Sequence, residues 1–154
     1  MPVRTAYVGT EAVGDVLTKA NFDKLPGGWI GYAEVTANQG SITTEVDLTG
    51  LTVTVTVAST RRLRIVGEVM LANATADAIS VLRLHADGVQ IQSRTAAKAG
   101  AGTDQGVHIG AVVTPSAGAH TYKLRGWAVS GTVTLSASAT SPAFIYVEDV
   151  GPAS

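Results

Sequence analysis

Residues 51–57 read Leu-Thr-Val-Thr-Val-Thr-Val. Successive side chains of an extended chain point to opposite faces. The run therefore sets Leu51, Val53, Val55 and Val57 on one face and Thr52, Thr54 and Thr56 on the other. Val and Thr both suit a pleated, half-buried surface. Comparable runs occupy residues 30–35, 63–71, 79–86, 89–94, 107–113, 121–129, 132–137 and 143–147, with a shorter one at 41–46. Turn residues separate them and no helical period lies between, which argues against a doubly wound α/β arrangement. At 154 residues the chain fits one domain of ordinary size. The expected fold is all-β: an antiparallel β-sandwich, jelly-roll-like, over residues 29–154.

Two turns can be specified further. Asp87-Gly88 is the signature of a two-residue hairpin turn. Pairing outward from it sets Ala86 opposite Val89 and Leu84 opposite Ile91. Leu82, Leu84, Ala86, Val89 and Ile91 then share an apolar face, and Arg83, His85, Gln90, Gln92 and Arg94 share the other. A second hairpin is expected at Ser130-Gly131, folding residues 121–129 against 132–137. Two strands carry apolar residues on both faces. Val66 and Met70 oppose the Leu63, Ile65, Val69 and Leu71 face, while Phe144 and Tyr146 oppose Ile145 and Val147. A lone small sandwich has water on its outer faces, so this surplus points to subunit contacts, with Val66, Met70, Phe144 and Tyr146 as candidate interface residues.

The β pattern fails before Pro26-Gly27-Gly28. There Thr18 can cap a brief helix over residues 19–25 that Pro26 ends. One or two helical turns do not stand alone in water. Residues 1–28 are therefore read as an arm that packs on its own domain or on a neighbour, with Thr18, Phe22 and Leu25 as candidate docking residues. Residues 96–106 are small and glycine-rich and read as a loop. Lys98, Thr103, Asp104 and Gln105 are its candidate recognition residues.

Composition narrows the function classes. Charged residues are 15% of the chain and the net charge is −1, so no broad basic face is available to neutralise phosphates. The short run Arg61, Arg62, Arg64 fits a strand ladder equally well. With no cysteine, disulfides and thiolate metal sites are excluded. Met1-Pro2-Val3-Arg4 does not open a long apolar secretory segment. No apolar run reaches the roughly 18 residues of a membrane helix. A soluble protein made in a cytoplasm is expected, without nucleic-acid binding or membrane insertion.

A search for chemistry returns nothing assembled. His85, His108 and His120 have no metal-ligand spacing and read as isolated surface or edge residues. Glu148 and Asp149 are adjacent, hence on opposite faces of a strand and poorly placed for paired acid–base work. No calcium loop or nucleophile elbow occurs, and Gly100-x-Gly102 lacks the third glycine and the strand–helix setting of a phosphate cradle. Trp29, Tyr32, Trp127 and Tyr146 suit either sugar stacking or a core or interface role. Trp29 and Tyr32 are three apart, so one of them is expected inside. Neither a cofactor nor a catalytic set is expected.

Two stretches carry a family resemblance. Gly14-Asp15-Val16-Leu17-Thr18-Lys19-Ala20-Asn21-Phe22-Asp23-Lys24-Leu25-Pro26-Gly27-Gly28-Trp29-Ile30-Gly31-Tyr32 resembles the opening of small virion proteins of tailed phages, especially those of actinobacteria. Gly118-Ala119-His120-Thr121-Tyr122-Lys123-Leu124, followed by Ser141-Pro142-Ala143-Phe144-Ile145-Tyr146-Val147-Glu148-Asp149-Val150-Gly151-Pro152, resembles their ending. The resemblance implies a jelly roll similar to the tumour-necrosis-factor and C1q type, usually a homotrimer. Such modules serve as capsid decoration or minor tail proteins that attach to the particle through an N-terminal segment. It implies as partners other copies of the chain and the major capsid or tail proteins, with the virion as location. No long coiled-coil or collagen-like stalk is present, which departs from true fibres. The competing expectation is a receptor-binding module for host-surface carbohydrate or protein; an enzyme such as a depolymerase stands third.

Overall fold

The computed structural model describes residues 25–76, 78–97 and 103–153. Ten strands lie among them: β1 (Gly28–Val35), β2 (Gln39–Ile42), β3 (Val46–Val57), β4 (Arg61–Asn73), β5 (Ile79–Ala86), β6 (Val89–Ala97), β7 (Asp104–Val113), β8 (Gly118–Ala128), β9 (Val133–Ser136) and β10 (Ala143–Pro152). No helix occurs among the described residues. The helix expected ahead of Pro26 falls outside them except for Leu25, and so do Thr18, Phe22 and Lys98.

The strands form two antiparallel sheets. One has the order β1-β10-β4-β7. β7 covers one edge of β4 over Leu63–Ala72, so β9, which pairs with Met70–Asn73, continues along the edge that β10 leaves, with β2 beside it. The other sheet has the order β3-β8-β5-β6. Consecutive strands repeatedly change sheets, which is the jelly-roll connectivity.

Alternation decides which side chains meet between the sheets. Leu63, Ile65, Val69 and Leu71 of β4, Ile145 and Val147 of β10, and Ile109 of β7 are buried from one side. Leu51, Val53 and Val55 of β3, Leu82 and Leu84 of β5, and Tyr122 and Leu124 of β8 meet them from the other. The approach is close at Gly67, where a Cβ would lie 2.7 Å from Leu124 Cδ1. Only a glycine lets Leu124 rest on the backbone of β4 there.

Several sequence expectations change in register. The Asp87-Gly88 turn forms with φ of 50° and 83°, and Ala86 pairs with Val89 as the turn chemistry requires. A bulge follows, however, so Leu84 pairs with Gln92 instead of Ile91. The extra residue sits on an edge strand, where bulges are common and discourage further strand pairing. Ser130-Gly131 does not close a hairpin. β8 pairs with β3 and β5, whereas β9 pairs with β4 and β2, so this turn carries the chain from one sheet to the other. Buried Asn73 holds the corner: its amide donates to Ser130 O at 3.2 Å and its Oδ1 accepts from Thr75 N at 3.0 Å. The strand expected at 41–46 stops at Ile42, which frees Glu45 to reach across the second sheet.

Candidate functional site

The two outer faces of the sandwich differ. On the outward face of β1-β10-β4-β7, the cross-strand partners form level rows. Glu34, Phe144, Glu68 and His108 make one; Tyr32, Tyr146, Val66 and Gly110 make the next; Trp29, Glu148, Arg64 and Val112 make the third. Trp29 joins this face because a bulge between Trp29 and Gly31 inserts one residue. Trp29 and Tyr32 therefore stand on the same side, contrary to the expectation that one is inside; they are 66% and 48% exposed. Gly31 points inward instead, where a Cβ would lie 2.4 Å from Val53 Cγ1. The dipeptide Ile30-Gly31 was the readable hint: a glycine within a strand often marks a bulge or close approach.

The rings of Trp29, Tyr32, Phe144 and Tyr146 form a continuous platform. Centroids are 5.0 Å apart for Trp29–Tyr146, 6.0 Å for Trp29–Tyr32, and 6.3 Å for both Tyr32–Phe144 and Phe144–Tyr146, with interplanar angles of 11° to 28°. Tyr32 donates its hydroxyl to Glu34, and that bond to a carboxylate raises the phenol pKa above its ordinary value. Glu148 pairs with Arg64 at 2.6 Å. The chain has two Trp, four Tyr and two Phe, of which one, two and one stand here. Aromatic rings contribute most when desolvated, so placing them outside the core points to a contact surface.

All four candidate interface residues lie on this face. Phe144 and Tyr146 belong to the platform. Val66 is already covered within the subunit, at 8% exposure, and Met70 Sδ accepts from the Ser141 hydroxyl at 3.3 Å. Trp29, Tyr32 and Val112 present more free surface than either; an interface was one of the roles the sequence left open for Trp29 and Tyr32, whereas Val112 was not singled out.

The outward face of the second sheet is dressed differently. Thr52, Thr54, Thr56 and Thr121 line one half, with Thr54 and Thr121 hydroxyls 2.9 Å apart. In the other half Glu45 accepts from Arg83 at 2.6 Å and Arg125 at 2.9 Å, and lies 3.3 Å from His85 Nε2 in an alignment too poor for a hydrogen bond. Asp47 binds Lys123 at 2.8 Å; that bond is the main reason its carboxyl lies below the usual range. The Arg83 guanidinium sits 4.1 Å over the Trp127 ring. These charges satisfy one another on a face left to solvent.

The histidines are less isolated than their spacing implied. His85 is buried against the Glu45 cluster. His120 Nδ1 lies 2.7 Å from Asp87 Oδ2 and its Nε2 lies 2.9 Å from Ser116 O. Two acceptors on one ring call for the doubly protonated form, and the Asp87 bond raises the imidazole pKa. Only His108 is exposed. Among the described residues no three His, Asp or Glu side chains come together as metal ligands. Glu148 and Asp149 do face opposite sides: Asp149 pairs inward with Arg61 at 2.7 Å. Arg61 also donates to Leu25 O at 2.6 Å, so this arm residue is held by its own domain. A cleft of about 720 Å³ opens beside it, lined by Ile30, Val57, Thr60 and Pro152 among others. Of the candidate recognition loop, Thr103 precedes β7 while Asp104 and Gln105 lie within it, paired with Ala72 and Leu71. They belong to the sheet because the pairing of β7 with β4 runs on through Leu71, the end of the apolar run, to Ala72 just beyond it.

The topology agrees with a solved structure. A TNF structure, Eiger from S. frugiperda, superposes with a TM-score of 0.50 at 13% identity, covering 82% of this chain and 96% of that one. The fold is a TNF-like jelly roll. A second solved structure, dimeric latent PorU from Porphyromonas gingivalis, gives a TM-score of 0.44 at 14% identity, covering 82% of this chain and 13% of that one. No family model and no curated protein matches the chain.

Proposed function

We propose that this jelly roll is a non-enzymatic structural component of a bacteriophage particle: a homotrimeric capsid decoration or minor tail protein, attached through its N-terminal arm. The observation that carries self-association is the exposed platform of Trp29, Tyr32, Phe144 and Tyr146 on a sheet face without a subunit-internal cover among the described residues. The phage assignment rests on the resemblance of residues 14–32, 118–124 and 141–152 to small virion proteins. The TNF-like fold is compatible with a trimer.

Light scattering on size-exclusion chromatography tests the assembly. The wild type is expected at three times its 15.7 kDa chain mass, and Tyr32→Lys combined with Trp29→Lys is expected to be monomeric yet folded. A monomeric wild type defeats the reading. Arm deletion belongs before Leu25, since Arg61 grips that residue's carbonyl. Phage particles that still incorporate a chain lacking residues 1–24 would refute docking through the arm. The second reading, a host-surface receptor-binding module, draws on the same exposed rings, which suit sugar stacking. Saturable glycan binding by a monomeric wild type is its expected signature.

A further inference from the structure

The sheet β3-β8-β5-β6 has two edges, and they are protected unequally. On β6 a bulge and Arg94 disturb the edge. On β3, residues 51–60 contain no charge, proline or glycine, and from Thr52 to Val57 the strand pairs with β8 without a break. Hydrogen bonds at the two ends of β8 fix which of its backbone groups serve which neighbour. Thr121 O accepts from Asp87 N, and Val129 N donates to Ile79 O, both at 2.8 Å. Odd-numbered residues of β8 thus serve β5, and alternation leaves Tyr122 and Leu124 to β3. Val53, opposite Tyr122, therefore bonds to β8, whereas Thr52, Thr54 and Thr56 direct their N–H and C=O to the free edge. The three threonines are exposed, and those backbone groups have no partner among the described residues. Earlier on the same strand the fold closes its own edge. Gln39 Oε1 accepts from Thr49 N at 2.7 Å, and Gln39 Nε2 donates to Asp47 O at 3.4 Å. A side-chain amide does there what the peptide group of a neighbouring strand would do.

We infer that the open stretch of β3 is a strand-addition site for an extended segment of a partner protein, one that alternates hydroxyl-bearing and apolar side chains. Main-chain hydrogen bonds to Thr52, Thr54 and Thr56 hold the segment, and its side chains decide which segment fits. On the outer face the added residues fall beside a row of threonines, where the Thr54 and Thr121 hydroxyls already lie 2.9 Å apart. Serine or threonine continues that row. Alternate residues turn inward beside buried Val53, Val55 and Val57. At the Thr56 end the edge opens into the cleft lined by Ile30, Val57 and Pro152, and Ile30 is an exposed apolar wall for one such side chain. A charged segment finds no counterion along residues 51–60. A second copy of the chain fits this edge less well than a bare segment. β1 lies over β3, since a Cβ on Gly31 would strike Val53 and Val55. A copy arriving edge-on sets its own β1 beside this one, whose bulge between Trp29 and Gly31 breaks even pairing. None of this depends on the aromatic platform.

A peptide copying residues 50–58, capped at both ends and carrying a lysine pair for solubility and a fluorophore, is the probe, because its alternation matches the edge. Fluorescence anisotropy is expected to show saturable binding to the full chain. Amide exchange followed by NMR is expected to be fast at Thr52, Thr54 and Thr56 in the free protein and slower with peptide, and slow at Val53 and Val55 in both states. Thr54→Pro removes an N–H that the β3–β8 ladder does not use, an edge position where proline is tolerated. It is expected to weaken binding about tenfold; if that variant unfolds, the wild-type exchange pattern decides. No binding, or binding that leaves the three threonine amides as fast as before, overturns the inference. Threonine amides already slow in the free protein overturn it too, because the edge is then held by residues 1–24 or by a second copy. Deleting residues 1–24 separates those two, speeding exchange only in the first case. The Trp29→Lys, Tyr32→Lys variant is expected to bind the peptide like the wild type, so failure of the trimer and failure of the strand-addition site are read separately.

Discussion

Gly67 of β4 lies directly against Leu124 of the facing sheet, and replacing it with alanine measures that contact. The added methyl would lie 2.7 and 2.8 Å from the two Cδ atoms of Leu124 and 3.2 Å from its Cγ. Carbon atoms rest about 3.5–4.0 Å apart. Leu124 is wholly buried and Gly67 is on the central strand of its sheet, so neither can retreat freely. Overpacking of this kind costs about 1–3 kcal/mol. Leu124→Ala alone removes the obstructing atoms and costs about 2–5 kcal/mol for lost burial and the cavity left behind. In the double variant the clash disappears and the methyl introduced at position 67 fills part of the vacated space, recovering about 0.8 kcal/mol. The two substitutions should therefore couple favourably by about 2–3 kcal/mol. Urea unfolding of all four proteins measures this, at one fixed concentration because association adds a concentration-dependent contribution. Leu124→Val gives a milder version of the same cycle if Leu124→Ala folds poorly. Additivity within about 0.5 kcal/mol would mean that β4 and β8 do not face each other at this point, and the packing argument would fail.

Two further outcomes follow from ion pairs. His120 bonds Asp87 and Ser116, its pKa lies above 6.5, and that of Asp87 lies below 3.8, chiefly through the Thr121 amide and then through His120. The histidine's contribution is complete below its unfolded value and fades as pH rises through the raised folded value; the aspartate's is lost only as pH falls through its depressed one. The stability gap between wild type and His120→Leu, at most of the order of 1 kcal/mol for a pair this exposed, should shrink between about pH 6 and about pH 9, and a gap that widens refutes the latch. Arg61 and Asp149 are a mostly buried pair, so Asp149→Ala should destabilise by about 3–5 kcal/mol and, by loosening Arg61 from Leu25 O, speed proteolytic cleavage near residue 25; unchanged cleavage would separate the pair from the arm's anchorage.

Alternation made the architecture legible. Leu51 to Val57 points alternately in and out as its Thr/Val pattern requires, and residues 79–86 form a strand with the expected bounds. What escaped were features set between strands. One inserted residue at Ile30 reverses the facing of everything before it, so Trp29 could not be placed by counting from Tyr32. The Ser130-Gly131 turn has hairpin chemistry, yet Asn73, far away in sequence, makes it a crossing between sheets. Nothing in the local sequence singles out Glu45. Its meeting with Arg83 and Arg125 depends on β5 and β8 being neighbours, which no local pattern encodes.

The choice of contact face follows from comparing the two outer surfaces. Both strands read as apolar on two sides, 63–71 and 143–147, lie in the same sheet and pair directly, Tyr146 opposite Val66 and Phe144 opposite Glu68. Their surplus apolar residues therefore fall on one patch, where β1 adds Trp29 and Tyr32. The second sheet shows threonines and charges that pair among themselves, so burying it would strip water from groups that gain little in return. Burying the first sheet removes aromatic surface from water at the expense of the carboxylates Glu34 and Glu68 and the already paired Glu148. Glu34 already accepts from the Tyr32 hydroxyl and Glu68 stands directly opposite His108 on β7, so burial need not strand either carboxylate.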